Sequence, residues 1–404
     1  MDRIEYLAKI WKKYPAMPAG AIVAGRIYNL VREDGALELT LQRDSLTHKV
    51  KFDNAPEFSE FLDFGDIVAV LSEKELILLA PQTTSLPRRF YDKELFIKWN
   101  NYLDHVRGFF KFNNFVSLRT PGLVVCPGTE PALDVFATEL KVGSRREKLY
   151  LPTSPELHLK KALALGADKI YEITPCFRNG EVTERHQPEF LMLEWYRAYD
   201  TLAAIKKDAI DLVTYLSKSL RVPGPRQVIS YTVAELFKIY CGFNLTPQTS
   251  AAELKALAEK LNVDVRSAES IDDYFFLIFM DKIESQLPPE DLIFVEKYPP
   301  YQAALARLTE DGWGDRFEFY WKGLELANAF HELNDPSVQR LRSQEDLQKK
   351  AEMHKEAVPL DEEFFASLDA GMPPSGGIAL GVERLFMCLY DVKSISELRL
   401  FPQG

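Results

Sequence analysis

Two long strand-like runs, residues 188–199 and 316–333, constrain the fold of this chain more than any other feature. A glycine-rich strand at 376–381 follows them and leads into a helix. Apolar spacing and capping patterns predict further helices at 95–112, at 155–165, after Ser250 and at 272–287. Strands and helices that do not alternate regularly favour an α+β fold. We therefore predict an α+β domain built on an antiparallel sheet flanked by helices.

The first 86 residues have a different pattern. Short strand-like runs with turns between them are predicted at 21–27, 37–41, 66–71 and 75–79. Closely spaced short strands are typical of a small β-barrel or sandwich. Residues 81–87 (PQTTSLP) have the composition of a linker. We predict a small β domain at 1–86 and a larger second domain at 87–404.

Charge and cysteine content exclude several classes of protein. The formal net charge is −11, and residues 1–86 hold 10 Lys and Arg against 13 Asp and Glu. A surface of this sign does not favour non-specific binding to nucleic acid or to an anionic membrane. The four cysteines form no CxxC pair, and no run of 18 apolar residues occurs. Together these features predict a cytoplasmic protein without a structural zinc site or a disulfide framework.

Residues 176–196 read as a strand, a charged loop and a second strand. In the second strand Glu194 and Tyr196 share a face with Phe190, because side chains alternate with period two. A carboxylate on an apolar face requires a partner. The alternative is an edge strand whose Glu194 faces water. Arg178 and Arg185 nearby make a phosphate or carboxylate site plausible, because a guanidinium binds such groups with two hydrogen bonds.

Residues 316–335 predict a β-hairpin whose two-residue loop is Lys322-Gly323. The register then pairs Tyr320 with Glu325 and Glu318 with Ala327. Glu318 and Glu325 become diagonal neighbours on one face, where two carboxylates repel unless a cation lies between them. Such a pair suits Mg²⁺ that also binds substrate phosphates; the alternative is two solvated acids. Asn328, Phe330 and Glu332 have the opposite parity to Glu325. Both groups point into one cleft only if a bulge separates them, so we predict a bulge.

The third cluster is the glycine-rich segment 374–384, which ends in Arg384. Glycines allow another group to approach the backbone closely. A cation in the first turn of a helix is disfavoured by the helix dipole, so Arg384 suggests an anionic ligand. The alternative is a surface arginine paired with Glu383 or another acid.

These clusters, taken with the extended segment 115–121, contain segments that resemble the three motifs of class II aminoacyl-tRNA synthetases. Residues 115–121 resemble motif 1, residues 177–190 motif 2 and residues 377–384 motif 3. Arg185-His-Gln-Pro-Glu-Phe190 is most similar to lysyl-tRNA synthetases. The resemblance implies a class II-type antiparallel sheet in residues 88–404. It also implies that the N-terminal domain is an OB-like β-barrel, shortened relative to the anticodon-binding domain of those enzymes.

Within that group the chain resembles the short paralogues that attach (R)-β-lysine to elongation factor P. Lysyl-tRNA synthetases usually have alanine and glycine at the two pocket positions where this chain has Ser154 and Ala379, and the paralogues have the residues found here. This exchange suits a substrate whose amino group is on the β-carbon. An added methyl group discriminates by about 1–3 kcal/mol in a tight pocket.

The resemblance also implies roles for individual residues. Arg178 and Arg384 are the expected catalytic residues. The expected ATP-binding residues are Arg178, Glu181, His186, Phe190 and Arg384. The expected substrate-binding residues are Ser154, Glu156, Glu194, Tyr196, Asn328, Phe330, Glu332 and Ala379. Glu318 and Glu325 are expected to hold Mg²⁺.

Three departures from the family pattern stand out. Motif 2 usually has glutamate where this chain has Gly180, and Glu181 is expected to replace it after a small backbone shift. The paralogues usually have glycine where this chain has Ala329, which implies a tighter pocket. They also lack an N-terminal barrel.

The function implied is ATP-dependent activation of lysine or (R)-β-lysine as an adenylate, followed by transfer to a lysine side chain of elongation factor P. The expected enzyme is a homodimer with no membrane association. One alternative is a tRNA ligase with a reduced anticodon-binding domain, which the retained barrel supports. Another is a non-catalytic regulator that binds lysine or ATP, for which Gly180 is the only support.

Overall fold

The protein is described from a computed structural model that covers residues 2–11, 17–82, 92–266, 268–303 and 305–401. The chain divides into two compact units, Met1–Asn100 and Asn101–Gly404. The predicted linker at 81–87 falls largely outside the described residues, so the boundary at 86 stays a prediction. In the part of the chain that is described, no helix combines the length and the apolar composition needed to cross a bilayer.

The first unit is a small antiparallel sheet with one helix. Its elements are α1 (Arg3–Ile10), β1 (Val23–Glu33), β2 (Ala36–Arg43), β3 (Leu46–Phe52), β4 (Ile67–Ser72) and β5 (Glu75–Ala80). The strand order is β3-β2-β1-β4-β5. The four predicted strands are therefore present, and β3 is an addition. Its side chains are mostly exposed, so it lacks the apolar alternation that would have predicted it.

The core of this sheet follows from alternation along β2, where Leu37, Leu39 and Leu41 are all fully buried. Leu7 of α1 is buried in the same core. Among the described residues β3 and β5 are the two edges of the sheet, so the predicted closure into a barrel is not part of its strand pairing. A small β domain at this end of the chain is as predicted.

The second unit contains the large sheet and the remaining helices. Its strands are β6 (Val116–Ser117), β7 (Ala137–Val142), β8 (Arg145–Tyr150), β9 (Lys169–Phe177), β10 (Glu189–Ala198), β11 (Val228–Thr232), β12 (Leu292–Tyr298), β13 (Gly314–Trp321), β14 (Leu324–His331) and β15 (Ser375–Gly381). Its helices are α2 (Lys93–Phe112, which begins in the first unit), α3 (Glu156–Ala164), α4 (Leu202–Leu220), α5 (Val233–Leu236), α6 (Ala251–Lys260), α7 (Ile271–Ile278), α8 (Pro336–Glu352), α9 (Glu362–Gly371) and α10 (Val382–Tyr390).

Eight strands form the large sheet in the order β11-β12-β13-β14-β15-β10-β9-β6. Its six central strands pair antiparallel, whereas β11 and β6 join the two edges in parallel. The predicted α+β architecture is confirmed. The capping box at Ser250 is also present, with its hydroxyl accepting from the amide of Glu253. The predicted helix at 272–287 is α7, followed by a π-helical turn and a 3₁₀ turn.

Candidate active site

The register of the large sheet gathers the predicted substrate residues on one face. Residues directly opposite each other on neighbouring strands point to the same side of a sheet. One row of such partners crosses β13, β14, β15 and β10 and consists of Glu318, Asn328, Ala379 and Glu194. The adjacent row consists of Arg316, Phe330, Gly377 and Tyr196. The sheet therefore supplies a continuous floor for a ligand site.

The hairpin of β13 and β14 contains the predicted bulge. Lys322 and Gly323 have φ values of +50° and +71°, which fit a tight two-residue turn. Tyr320 pairs with Glu325 as predicted, but the register then shifts by one residue. The predicted pairing of Glu318 with Ala327 is therefore wrong, and Glu318 faces Asn328. The bulge brings Glu325 onto the face that carries Asn328, as the sequence required.

Glu194 is buried and held by two hydroxyl groups. Ser154 donates to its Oε1 at 2.6 Å and Tyr196 donates to its Oε2 at 2.9 Å. Ser154 also accepts from the amide of Glu156 at 3.0 Å, which stabilises the start of α3. Burial, and next the nearby charge of Glu156, raise the pKa of Glu194 to about 8. The exposed-edge alternative for Glu194 is wrong, because its residue exposure is 1%.

A fully buried lysine lies between the other two predicted carboxylates. The ammonium of Lys160 is 2.5 Å from Oε1 of Glu156 and 2.6 Å from Oε2 of Glu332. Burial raises the pKa of Glu332 to about 8, although the Lys160 charge opposes the rise. The second oxygen of Glu332 accepts no hydrogen bond from the described residues. A Cβ at Gly377 would lie only 2.1 Å from that oxygen and 2.3 Å from the Tyr196 ring, so glycine at this position leaves room for these two side chains.

Arg178 follows β9 and faces Phe190 of β10. Its guanidinium lies 5.2 Å from the centre of the Phe190 ring, within the range of a cation–π contact. Its Nε atom is buried and has no hydrogen-bond partner in the described residues. A buried donor of this kind calls for an acceptor such as a carboxylate or phosphate.

The loop after Arg178 explains one departure from the family motif. Gly180 has φ +80°, a conformation that side-chain-bearing residues rarely adopt. Glutamate at this position would be strained, so the turn itself favours glycine. The carboxylate of Glu181 makes no hydrogen bond with the described residues, and its charge only partly offsets the lowering of the His186 pKa by burial and by Arg384. Its contact with adenine stays a prediction.

Arg384 is fixed against the hairpin and the motif 2 loop. It donates to the carbonyl of Glu325 at 2.9 Å and to Nε2 of His186 at 2.5 Å. Because arginine only donates, His186 is neutral here and carries its proton on Nδ1, which lies 2.9 Å from the hydroxyl of Thr183. Burial, and next the Arg384 charge, lower the pKa of His186. The proposed surface pairing of Arg384 with Glu383 is absent from its described contacts.

The predicted metal pair, Glu318 and Glu325, lies on one face with the two charges near each other. Burial, and next the Glu318 charge, raise the pKa of Glu325 to about 7. Glu318 already accepts from Tyr298 at 2.6 Å, from Tyr320 at 2.5 Å and from Arg316. A carboxylate has about four lone-pair positions, so Glu318 keeps one for a cation.

The carboxylate of Glu325 accepts no hydrogen bond from the described residues, so both groups fit a cation that takes its other ligands from elsewhere. The described residues contain no cluster of three or more acidic, His or Cys ligands. A cation here would therefore depend on oxygen atoms from a substrate, as Mg²⁺ commonly does.

Two site residues were missed by the sequence reasoning. Lys160 is four positions after Glu156, and this spacing places both on one helical face. Arg316 is two positions before Glu318 and donates at 2.9 Å to the side-chain oxygen of Asn328. In both cases the sequence signal is the spacing from a predicted site residue: four positions on a helix and two positions on a strand place the two side chains on the same face. Arg185, in contrast, is exposed and donates to the carbonyl of Gly323.

Comparison with known proteins adds a family match. The model of the family described as tRNA synthetases class II (D, K and N) matches residues 77–404. The match therefore contains the whole large sheet and begins after β4 of the first unit.

Three curated relatives carry the same name, elongation factor P–(R)-β-lysine ligase. The protein of Haemophilus influenzae (strain PittGG) is 37% identical over 310 residues, which are 76% of this chain and 94% of that protein. The protein of Proteus mirabilis (strain HI4320) is 35% identical over 314 residues, again 76% and 94%. That of Vibrio parahaemolyticus is 35% identical over 305 residues, 74% and 92%.

Proposed function

The chain belongs to the class II tRNA synthetase family of the aspartate, lysine and asparagine type, and from this premise we propose its reaction. It is an ATP-dependent ligase that activates (R)-β-lysine or lysine as an adenylate and transfers the aminoacyl group to a lysine side chain of elongation factor P. The names of its relatives support this acceptor and this amino acid.

The observation that carries the proposal is the charge of the buried pocket. Among the described residues Lys160 is the one cation in contact with this group of acids; it pairs with Glu156 and Glu332, and the charge of Glu156 acts on Glu194. Two negative charges therefore remain uncompensated when all three acids are ionised. Buried charges require partners. A diamino acid supplies two ammonium groups, which neutralise this excess. An amino acid with an uncharged or acidic side chain supplies only its one amino group and would leave at least one of these two charges unpaired.

ATP binds next to this pocket, at the far end of β10. Phe190 offers an aromatic face for adenine, and Arg178 has a buried donor available for the α-phosphate and the substrate carboxylate. Arg384 is held in place by the Glu325 carbonyl and His186. A neutral His186 adds no repulsive charge to Arg384, so the arginine charge remains available for phosphate.

The reaction proceeds in two substitutions. A carboxylate oxygen of the amino acid attacks the α-phosphorus of ATP, the bond to the bridging oxygen breaks, and pyrophosphate leaves. The deprotonated amine of the acceptor lysine then attacks the acyl carbon, and AMP leaves as an amide forms. The enzyme contributes mainly positioning and charge neutralisation, for which Arg178 and Arg384 are suited.

Glu318 and Glu325 would hold Mg²⁺, which supplies charge neutralisation on ATP phosphates when bound. Arg316, Tyr298 and Tyr320 orient the Glu318 carboxylate for this role.

Ser154 and Ala379 favour the β-amino acid. Ser154 is hydrogen-bonded to Glu194. Ala379 of β15 pairs directly with Glu194 of β10 on one side and with Asn328 of β14 on the other. The methyl group of Ala379 therefore fills space on the floor of the pocket beside the acid that binds the amine. A shift of the amino group by one carbon is the kind of change that such a methyl group distinguishes.

The acceptor is a protein in the favoured proposal, and tRNA is the second candidate. The N-terminal antiparallel sheet lies almost wholly outside the family match and is the one observation that favours tRNA. Its ten basic residues against thirteen acidic residues weaken that candidate, because a tRNA-binding surface is usually basic. The proposed site of action is the cytoplasm.

We also propose that the enzyme is a homodimer. β6 is a two-residue strand at the edge of the large sheet, and apolar Phe112, Val116 and Leu123 are exposed near it. An exposed apolar strip beside a sheet edge suits a second copy of the chain. Light scattering should then give twice the monomer mass, whereas a monomer at micromolar concentration would contradict the proposal.

The activation step is tested by ATP–pyrophosphate exchange with (R)-β-lysine, lysine, ornithine and norleucine. Norleucine has the length of lysine and lacks the side-chain ammonium, so it is the matched control. The proposal predicts exchange with a diamino acid and none with norleucine. Equal exchange with norleucine would remove the charge argument, and no exchange with any of them would refute adenylate formation.

A further inference from the structure

Lys160 is a cation buried inside a site that should bind cations. Its residue exposure is 0%, and its ammonium contacts both Glu156 and Glu332. It lies on α3, one turn after Glu156, whereas Glu332 follows the end of β14. The lysine therefore joins a helix to the sheet across the pocket.

Stability alone is a weak explanation for this arrangement. Removing two or three charges from water costs more than their attraction commonly returns, so a buried ion pair is poor evidence of a stabilising role. Moreover, only one oxygen of Glu332 faces Lys160. The other accepts no hydrogen bond from the described residues and lies against Gly377, where any larger residue would collide with it. An unpaired, fully buried carboxylate oxygen calls for a donor that a bound ammonium group can supply.

We propose that Lys160 is a positioning residue for substrate: it is a permanent counterion that holds Glu156 and Glu332 apart and leaves one Glu332 oxygen for a substrate ammonium. This inference rests on the proposed function. It deepens that function by assigning the pocket a capacity of two added positive charges.

Lys160 also affects the pH at which Glu332 ionises. Burial raises the pKa of Glu332, the Lys160 charge opposes that rise, and the nearby charge of Glu156 adds to it. Without Lys160, Glu332 would lose its proton only at higher pH. A substrate ammonium would then bind well only above that pH. The titratable or charged groups around the cluster are Glu156, Glu194, Tyr196 and Glu332, with Glu130 beside Glu156 and Glu172 and Cys176 beside Glu194.

The test measures the KM for (R)-β-lysine in ATP–pyrophosphate exchange from pH 6.5 to 9.5 for wild type and Lys160→Met. Data are compared as the ratio of variant to wild-type KM, because the substrate amines titrate equally in both. At pH 7 the KM of the variant should be at least ten-fold higher than that of wild type. The inflection of its curve of KM against pH should lie more than one pH unit above the wild-type inflection. The kcat and the KM for ATP should change less than three-fold.

Lys161→Met is the matched control. Lys161 is the next residue on α3, and its ion pair with Asp361 at 2.7 Å involves none of the pocket acids. Its KM profile should follow wild type. The double variant Lys160→Met/Glu156→Gln removes the lysine together with one acid, so it should fold even where the single variant does not. Its inflection should return to within half a unit of wild type.

Equal inflections for wild type and Lys160→Met would overturn the inference, as would a double variant that retains the full shift. These outcomes leave the proposed function intact, because wild-type exchange is measured in the same assay. Absence of exchange by wild type with any diamino acid would instead refute the proposed function and the inference with it.

Discussion

Replacing Glu332 by glutamine removes one charge from the pocket and keeps the shape of the side chain. Glu332 is fully buried, contacts Lys160 at 2.6 Å and has a second oxygen available for substrate. A hydrogen bond to a charged group contributes about 1.5–3 kcal/mol. At roughly 1.4 kcal/mol per factor of ten, its loss should raise the KM for (R)-β-lysine about ten- to hundred-fold. ATP does not contact this acid in the proposed complex, so the KM for ATP should change less than three-fold.

The measurement is ATP–pyrophosphate exchange with each substrate varied in turn. Asp208→Asn is the control, because Asp208 forms a buried pair with Arg197 at 2.5 Å and Arg197 has the opposite parity to Tyr196. This control should lower the melting temperature and leave both KM values unchanged. If Glu332→Gln raises both KM values equally, or neither, Glu332 does not read the substrate side chain.

Three further results are expected. Arg178→Ala should abolish ATP–pyrophosphate exchange without unfolding the protein, and near-normal exchange would remove Arg178 from the site. Ala379→Gly should improve kcat/KM for lysine relative to (R)-β-lysine about ten-fold, by removing the methyl group beside Glu194; an unchanged ratio would mean that Ala379 does not select the substrate. The pKa of Glu194 is about 8 in the folded protein, well above its unfolded value. Between roughly pH 4.3 and pH 8 the native state therefore binds more protons than the unfolded state. The free energy of unfolding accordingly falls as pH rises through that window. A substrate ammonium reverses this loss, and the increase in melting temperature caused by (R)-β-lysine should therefore be larger at pH 8.5 than at pH 6; the opposite order would contradict the assignment.

Periodic features of the sequence were sufficient to predict much of the site. Alternation along residues 188–199 placed Phe190, Glu194 and Tyr196 on one face, and the parity conflict between Glu325 and Asn328 required the bulge that the sheet contains. The family match over residues 77–404 confirms the family resemblance, from which the roles proposed for these positions come.

Other features depend on contacts that no local pattern encodes. The position of the bulge decides whether Glu318 faces Ala327 or Asn328, and this depends on packing across three strands. In the sequence Lys160 resembles any other lysine on a helix. Its role is visible only in the fold, where Glu332, directly after β14, lies against it. In the N-terminal unit four of the five strands were predicted from their apolar runs, and β3 was missed because its side chains are mostly exposed. Pairing at the sheet edges depends on sheet curvature, which a local pattern does not report.

Transfer of the activated amino acid tests the central claim most directly. The enzyme, Mg-ATP and (R)-β-lysine would be incubated with elongation factor P or with tRNA(Lys) in separate reactions, and the products read by intact mass. The account predicts that elongation factor P gains the mass of one lysyl unit and that tRNA is not charged. Charged tRNA with unmodified elongation factor P would contradict it and would make the N-terminal sheet the candidate RNA-binding surface.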